Sequence, residues 1–232
     1  MERYLIKFSK KDSVKYISHL DTMRTLHRAI RRAQLPISYS KGFNPHPSIS
    51  IAAPLSLGIA SCGEYADVEF ESIIDEERVK NLLNSSLPDG IRIIDSLHIQ
   101  GKMPSSMALV EGARYTVQLK FKGKAEEIKR SINNILASQN IERVKKTKSG
   151  EKIENIRPLI KDIVLTGYEE ETFNFEFLLF TGSRGNLAPN AVIELMQEEL
   201  NNDLTCEGIT RDELYCIKNN KWIDLLSYFK GK

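Results

Sequence analysis

His19 and His46 are the two side chains whose chemistry is most readily put to use. An imidazole titrates near neutrality, so a pair brought together would supply a general base and a general acid for metal-independent RNA cleavage. Between them stand Arg24, Arg28, Arg31 and Arg32, then Lys41. The arginines recur at helical spacing and share one flank of a helix. A guanidinium fork binds phosphate oxygens bidentately, which a solvated lysine does less specifically. The stretch YSKGFNPHPSISIAAPL, residues 39 to 55, follows that helix. Gly42 permits backbone angles that other residues resist. Pro45 and Pro47 hold the chain extended, and hold Asn44 and His46 extended before them. Tyr39, Phe43 and His46 are rings able to stack on unpaired bases, and Asn44 carries an amide suited to base edges. For Phe43 the stronger expectation is that it packs inward and closes the core. His19 also has a local reading, as a cap at the first helical position.

Two further basic sites lie in the second half. Arg157 precedes Pro158, which favours an extended backbone and a projecting side chain. Arg184 sits between Gly182 and Gly185, ahead of a helix whose first amides can receive a phosphate. The segment TGSRGNLAP lacks a Walker lysine and GxGxxG spacing, so nucleotide hydrolysis is not expected. Cys62, Cys206 and Cys216 form no CxxC pair, and the four histidines have no metal-ligand spacing. No disulfide framework, metal site or other cofactor is expected, and a reducing cytoplasm is the expected compartment. No apolar run approaches the roughly 20 residues of a membrane helix. The first residues, MERYLIKFSK, read as a strand and not as a signal peptide.

The elements that must hold these groups are legible from periodicity. RYLIKFS alternates as a strand. Ser18 and Asp21 mark a helix start, an acidic variant of the capping box. Leu20, Met23, Leu26, Ile30 and Ala33 form one apolar stripe, and Pro36 ends the helix. SISIAA and EYADVEFE alternate as strands, DEERVKNLLNSSL is a helix with acids at its start, and IRIIDSLHI is a strand. The order is βαββαβ. ARYTVQLKF, KAEEIKRSINNILAS, a hairpin around residues 167 to 171, AVIELMQEELN and ITRDELYCI repeat that order with longer connections. The expected fold is α+β, two tandem ferredoxin-like units with antiparallel sheets. Their expected bounds are 1–105 and 106–232, with the tail KWIDLLSYF covering a sheet edge or meeting a partner.

Charge follows the same division. The net charge of +2 conceals blocks of +7 over residues 1–60, −6 over 61–100, +7 over 101–165 and −6 over 166–232. Two basic fronts suit an anionic partner.

SHLD, RRAQLP, YSKGFNPHP, PLSLGIAS, GEYAD and the later IRPLI together resemble the family of radical SAM-linked proteins. Members of that family stand alone or are fused behind cobalamin-binding radical SAM proteins. The resemblance implies a functional link to a radical SAM enzyme and supplies no catalytic residues. This chain has no CxxxCxxC with which to hold such a cluster itself. The element order also resembles tandem ferredoxin-like proteins that bind or process CRISPR repeat RNA. Those carry a Gly-rich loop after the final helix of a unit, whereas here the glycines precede it.

The expected function is therefore RNA binding, as an accessory to a radical SAM protein, with rRNA or tRNA as the modified molecule. Arg24, Arg28, Arg31, Arg32 and Lys41 would hold phosphates, Tyr39, Asn44 and His46 would meet bases, and Arg157 and Arg184 would extend the surface. Two alternatives stand beside it. One is a ribonuclease or RNA-modifying enzyme using His19 and His46. The other is a protein–protein adaptor with no RNA role. The sequence offers no full catalytic set, which weighs against an enzyme.

Overall fold

The computed structural model describes residues 1–147, 150–182, 185–201 and 203–231, with the side chains of 145–147 left aside. The chain forms two compact units. The first comprises Met1–Glu111 and Arg211–Lys232, and the second Gly112–Thr210. The expected division at 105/106 differs from this in two respects: the boundary lies at 111/112, and the chain's last segment comes back to the first unit. The reason for that return lies in the long strand β10, Leu204–Lys218, whose second half belongs to unit one.

Unit one is built from β1 (Glu2–Lys10), α1 (His19–Arg32), β2 (Ile49–Ile51), β3 (Ala60–Phe70), α2 (Glu76–Ser86) and β4 (Ile91–Ile99). The strands lie in the order β4-β1-β3-β2, with every one of these neighbours antiparallel. This is the ferredoxin-like arrangement. Tyr4 at the centre of β1 faces Val68 on one side and His98 on the other. Tyr4, Ile6 and Phe8 of β1, Val68 and Phe70 of β3, Leu26 and Ile30 of α1, and Val79 and Leu83 of α2 make one buried cluster. A short helix α3 (Ser106–Leu109) follows, anchored by Asp67, whose Oδ2 accepts from both the amide and the hydroxyl of Ser106 at 2.8 Å.

Of the expected α1 stripe, Met23, Leu26, Ile30 and Ala33 lie in or against the core, and Leu20 does not. Leu20 is exposed, while Thr22 and Ala29 are buried beside Leu26 and Ile30. Thr22 tolerates this because its hydroxyl donates to the Ser18 carbonyl. Ser18 caps the helix by accepting from the Asp21 amide, as its position foretold. The tail forms a short strand β11 (Lys221–Asp224), paired with β10, and a helix α6 (Leu225–Lys230).

Unit two contains β5 (Gly112–Phe121), α4 (Ala125–Ala137), β6 (Glu142–Thr147), β7 (Gly150–Asn155), β8 (Ile160–Glu169), β9 (Thr172–Phe180) and α5 (Pro189–Glu199). Its strands run β10-β5-β9-β8, the same order once the β6–β7 hairpin is set aside as an insertion. That hairpin occupies what reads in sequence as a basic loop. Its charged residues obscure the alternation of Val144 against Ile153. Phe173, Phe175 and Phe177 of β9 are buried, as are Ile128, Ile132 and Ile135 of α4. Among the described residues no helix is long and apolar enough to cross a membrane, and no His/Cys/Asp/Glu group is disposed to hold a metal.

Candidate nucleic-acid interface

The stretch after α1 is a braced loop. Tyr39 bridges to Pro47, and Ile37 to Phe70 at the end of β3. The Ser40 amide donates to the His46 carbonyl at 2.8 Å, and the His46 amide donates back to the Ser40 hydroxyl at 2.9 Å. The Ser48 amide donates to the Ser38 carbonyl, and the Ser38 amide to the Glu69 carbonyl. The stem is thereby tied to β3, and the tip runs over Lys41, Gly42, Phe43, Asn44 and Pro45. All five tip residues are exposed, as is His46. Gly42 has φ of +146°, a conformation that a side chain would strain.

At its exit the loop is held from within. Arg211 of β10 is 1% exposed and Glu64 of β3 is 2% exposed. The guanidinium grips both oxygens of that carboxylate and also donates to the carbonyls of Ala53 at 3.0 Å and Pro54 at 3.1 Å. A charge buried this deeply requires such a full set of partners. Arg211 was not apparent in sequence as part of this assembly. An arginine inside an alternating strand hints at a paired buried charge, yet nothing local names Glu64 as its partner.

The loop stem meets α1 through His27, another residue the sequence did not single out. The Tyr39 and His27 rings lie 6.5 Å apart, edge to face. His27 Nε2 is buried without a hydrogen-bond partner. Burial holds its imidazole below the ordinary histidine range, and the neighbouring charge of Arg31 acts in the same direction.

The four helix arginines divide. Arg24 pairs with Asp21 at 3.1 Å, so the flank is not wholly unpaired. The Ser18 hydroxyl, and after it Arg24, hold the Asp21 carboxyl below its usual range. Arg32 turns away and donates to the carbonyl of Ser86, the last residue of α2, where a cation meets the negative end of a helix. Arg28 and Arg31 are exposed, and no hydrogen bond or ion pair engages them among the described residues. Tyr39, Lys41, Asn44 and His46 are exposed as well, with Tyr39 44% so.

Phe43 corrects the sequence reading. It does not close the core but stands wholly exposed at the tip. Its local apolar character suggested burial, but the stem bonds carry residues 41 to 45 clear of the sheet.

His19 goes elsewhere. It lines a cavity of ≈ 10 Å³ with Phe8, Lys10, Thr22, Ile51, Leu55 and Glu64, room for about one water molecule. The buried Lys10 ammonium donates to the carbonyls of Lys15 and Ile17, fixing the strap that leads into α1. Desolvation lowers its pKa, against an opposing pull from Glu64. No hydrogen bond or ring contact joins His19 to His46 among the described residues.

In unit two, Arg157 does not project. It opens a 3-10 turn in place of the expected extended backbone. Its guanidinium donates to the carbonyls of Leu136, at the end of α4, and Ile160. That use of all three nitrogens is structural. Arg184 lies outside the described residues.

Residues 3–189 match the model of a family described as an uncharacterized protein conserved in bacteria, DUF2344. No curated protein matches the sequence. Among solved structures, a chain of a Cbf5-Nop10-Gar1 complex is similar with a TM-score of 0.51 at 10% identity, over 91% of this chain and 48% of that one. A chain of the archaeal box H/ACA sRNP Nop10-Cbf5 complex has a TM-score of 0.47 at 10% identity, over 90% and 46%. The chain spans about half the length of these structures. At such identity the likeness is one of fold, and a fold does not assign a ligand.

Proposed function

This chain belongs to the bacterial family DUF2344, and from that premise we propose that it is an RNA-binding accessory protein. One observation carries the reading. The His27–Tyr39 contact sets the braced loop against α1, on which Arg28 and Arg31 stand exposed, with no partner among the described residues. Arg28, Arg31 and Lys41 hold phosphates, with Arg24 able to exchange Asp21 for a phosphate. Asn44, His46 and the exposed edge of Tyr39 meet bases. From Asp21 to Glu64 the chain has five Lys and Arg between the two acids and no Asp or Glu, so nothing local repels an anion. Arg32 and Arg157 hold backbone carbonyls and are structural in this reading.

The SHLD, GFNPHP and GEYAD motifs support a narrower version, in which the RNA is rRNA or tRNA and the protein serves a radical SAM enzyme.

The test is RNA affinity as a function of salt. Phosphate contacts release counterions, and on a single strand each contributes about 0.7 to the slope of log affinity against log salt. The Arg28→Ala/Arg31→Ala double variant is expected to lower that slope by about 1.4. Affinity that does not fall with salt would overturn the reading. Cross-linking in cell extract, with the bound RNA sequenced, would then identify the target, and co-purification would identify the enzyme.

A further inference from the structure

We propose that Phe43 is a stacking wedge, and that the RNA segment taken by this loop is single-stranded or splayed open instead of regular duplex. This rests on the RNA reading above and names the form of RNA that the site accepts.

Phe43 is the most exposed of the large hydrophobic side chains, at 113% of its reference area. A phenyl ring held this far into water packs against nothing in its own unit. Scattered exposed apolar residues are ordinary, but this one is carried at the tip of a stem closed by hydrogen bonds. The Ser40–His46 bonds and the Tyr39–Pro47 bridge close the stem. Pro45 and Pro47 restrict the returning strand. Gly42 turns the chain at φ +146°, and a side-chain carbon placed there would meet nothing within 4 Å, so the space around the tip is open. A stem closed in this way lowers the backbone entropy that the loop has to lose on binding.

The surroundings select the occupant. Lys41, Asn44 and His46 flank the ring, and no other large apolar side chain belongs to the tip. A protein hot spot sits in a closely packed patch whose surrounding contacts exclude water, whereas this ring stands alone on an exposed tip. A membrane anchor would need more apolar bulk than one ring. A ring face for a base, an ammonium for a phosphate and an amide for a base edge are the parts of a single-strand site. Regular A-form duplex offers no free base face, so the ring could stack there only by first opening a base step.

The experiment compares one short RNA, single-stranded and as its duplex, with a fluorescent adenine analogue in the strand. Wild type, Phe43→Ala and Phe43→Leu are measured, with thermal melts to show that all three fold alike. Wild type is expected to prefer the single strand and to change the analogue's emission. Phe43→Ala should weaken single-strand binding by roughly 5- to 150-fold, the range for loss of one stacked base. It should leave duplex binding and the salt slope as they were. Phe43→Leu, which keeps bulk without a π face, should resemble the alanine variant. If wild type and Phe43→Ala bind alike with a normal salt slope, the wedge is overturned and RNA binding stands. If neither shows salt-dependent binding, the RNA reading falls with it. If Phe43→Ala instead loses binding only to anionic lipid vesicles, the ring is a membrane contact and the proposal is overturned.

Discussion

Arg211 and Glu64 are joined inside the first unit, 147 residues apart in sequence, with Nε donating to Oε1 at 2.7 Å. The pair does two things. It neutralises two charges that would otherwise be stranded in the core, and it lets the guanidinium hold the Ala53 and Pro54 carbonyls at the loop's exit. Replacing one member leaves the other uncompensated. Arg211→Met is therefore expected to cost about 3–5 kcal/mol. The double variant Arg211→Met/Glu64→Leu should recover much of that loss, since an apolar pair of similar volume removes the stranded charge. Urea unfolding of the three proteins checks this. A single variant within about 0.5 kcal/mol of wild type, the range of a neutral surface change, would show that the pair does not secure the fold.

The same pair marks the limit of what could be read from the chain. Ser18, the Leu26–Ile30 face and the alternation in β1 and β3 are local patterns, and each produced its element. Leu20 fits the same helical period but lies in the first turn of α1, where it faces solvent and Thr22 takes the buried position. The partnership of Glu64 with Arg211 and the contact of Tyr39 with His27 depend on long-range packing that no spacing encodes. Arg24, Arg28, Arg31 and Arg32 look equivalent in sequence. Asp21 and the end of α2 distinguish them only once the chain is folded. The loop read well as a stiff surface because proline and glycine act locally, whereas the direction of Phe43 depended on where the stem was tied. Arg157 misled for a related reason: a proline restricts its neighbour's backbone on average, and the open end of α4 outweighed that preference.

His27 gives stability a dependence on pH. Burial lowers its pKa in the folded protein below the value near 6.5 of an unfolded chain. Between those two values the unfolded chain binds more protons, so stability rises with pH. This contribution is constant well above about pH 6.5 and declines as pH falls from there through the lower folded value. His27→Gln should flatten this part of the profile while leaving the acid limb due to carboxylates. Denaturant melts across the range would show it, and parallel profiles for both proteins would exclude His27 as the source.

The helix arginines should separate by assay. Arg28→Ala and Arg31→Ala are expected to weaken RNA binding with little change in stability, because neither side chain holds the protein together. Arg32→Ala and Arg157→Ala should do the reverse, each costing on the order of 1 kcal/mol through lost bonds to helix-end carbonyls. Paired melts and binding isotherms distinguish these patterns. Equal losses of RNA affinity across all four variants, with equal stability, would mean that the carbonyl bonds do not set them apart.

Two glycines provide a contrast between packing and conformation. A side-chain carbon at Gly63 would lie 2.4 Å from the Asp212 carbonyl oxygen and 2.8 Å from the Glu213 Cα, both backbone atoms of β10. The strands cannot yield cheaply there, and Gly63→Ala is expected to destabilise the protein by about 1–3 kcal/mol, the cost of overpacking a close-packed interior. Gly42 has open space around it and a φ of +146°. Gly42→Ala should strain only the tip, at a cost on the order of 1 kcal/mol, which the exposed loop can relieve by shifting. Global stability then stays near wild type while the presentation of Phe43 and Asn44 is lost. Thermal melts should therefore report Gly63→Ala, and single-strand RNA binding should report Gly42→Ala. A Gly42→Ala protein that binds as wild type would show that the conformation of the tip is not what readies the loop for its partner.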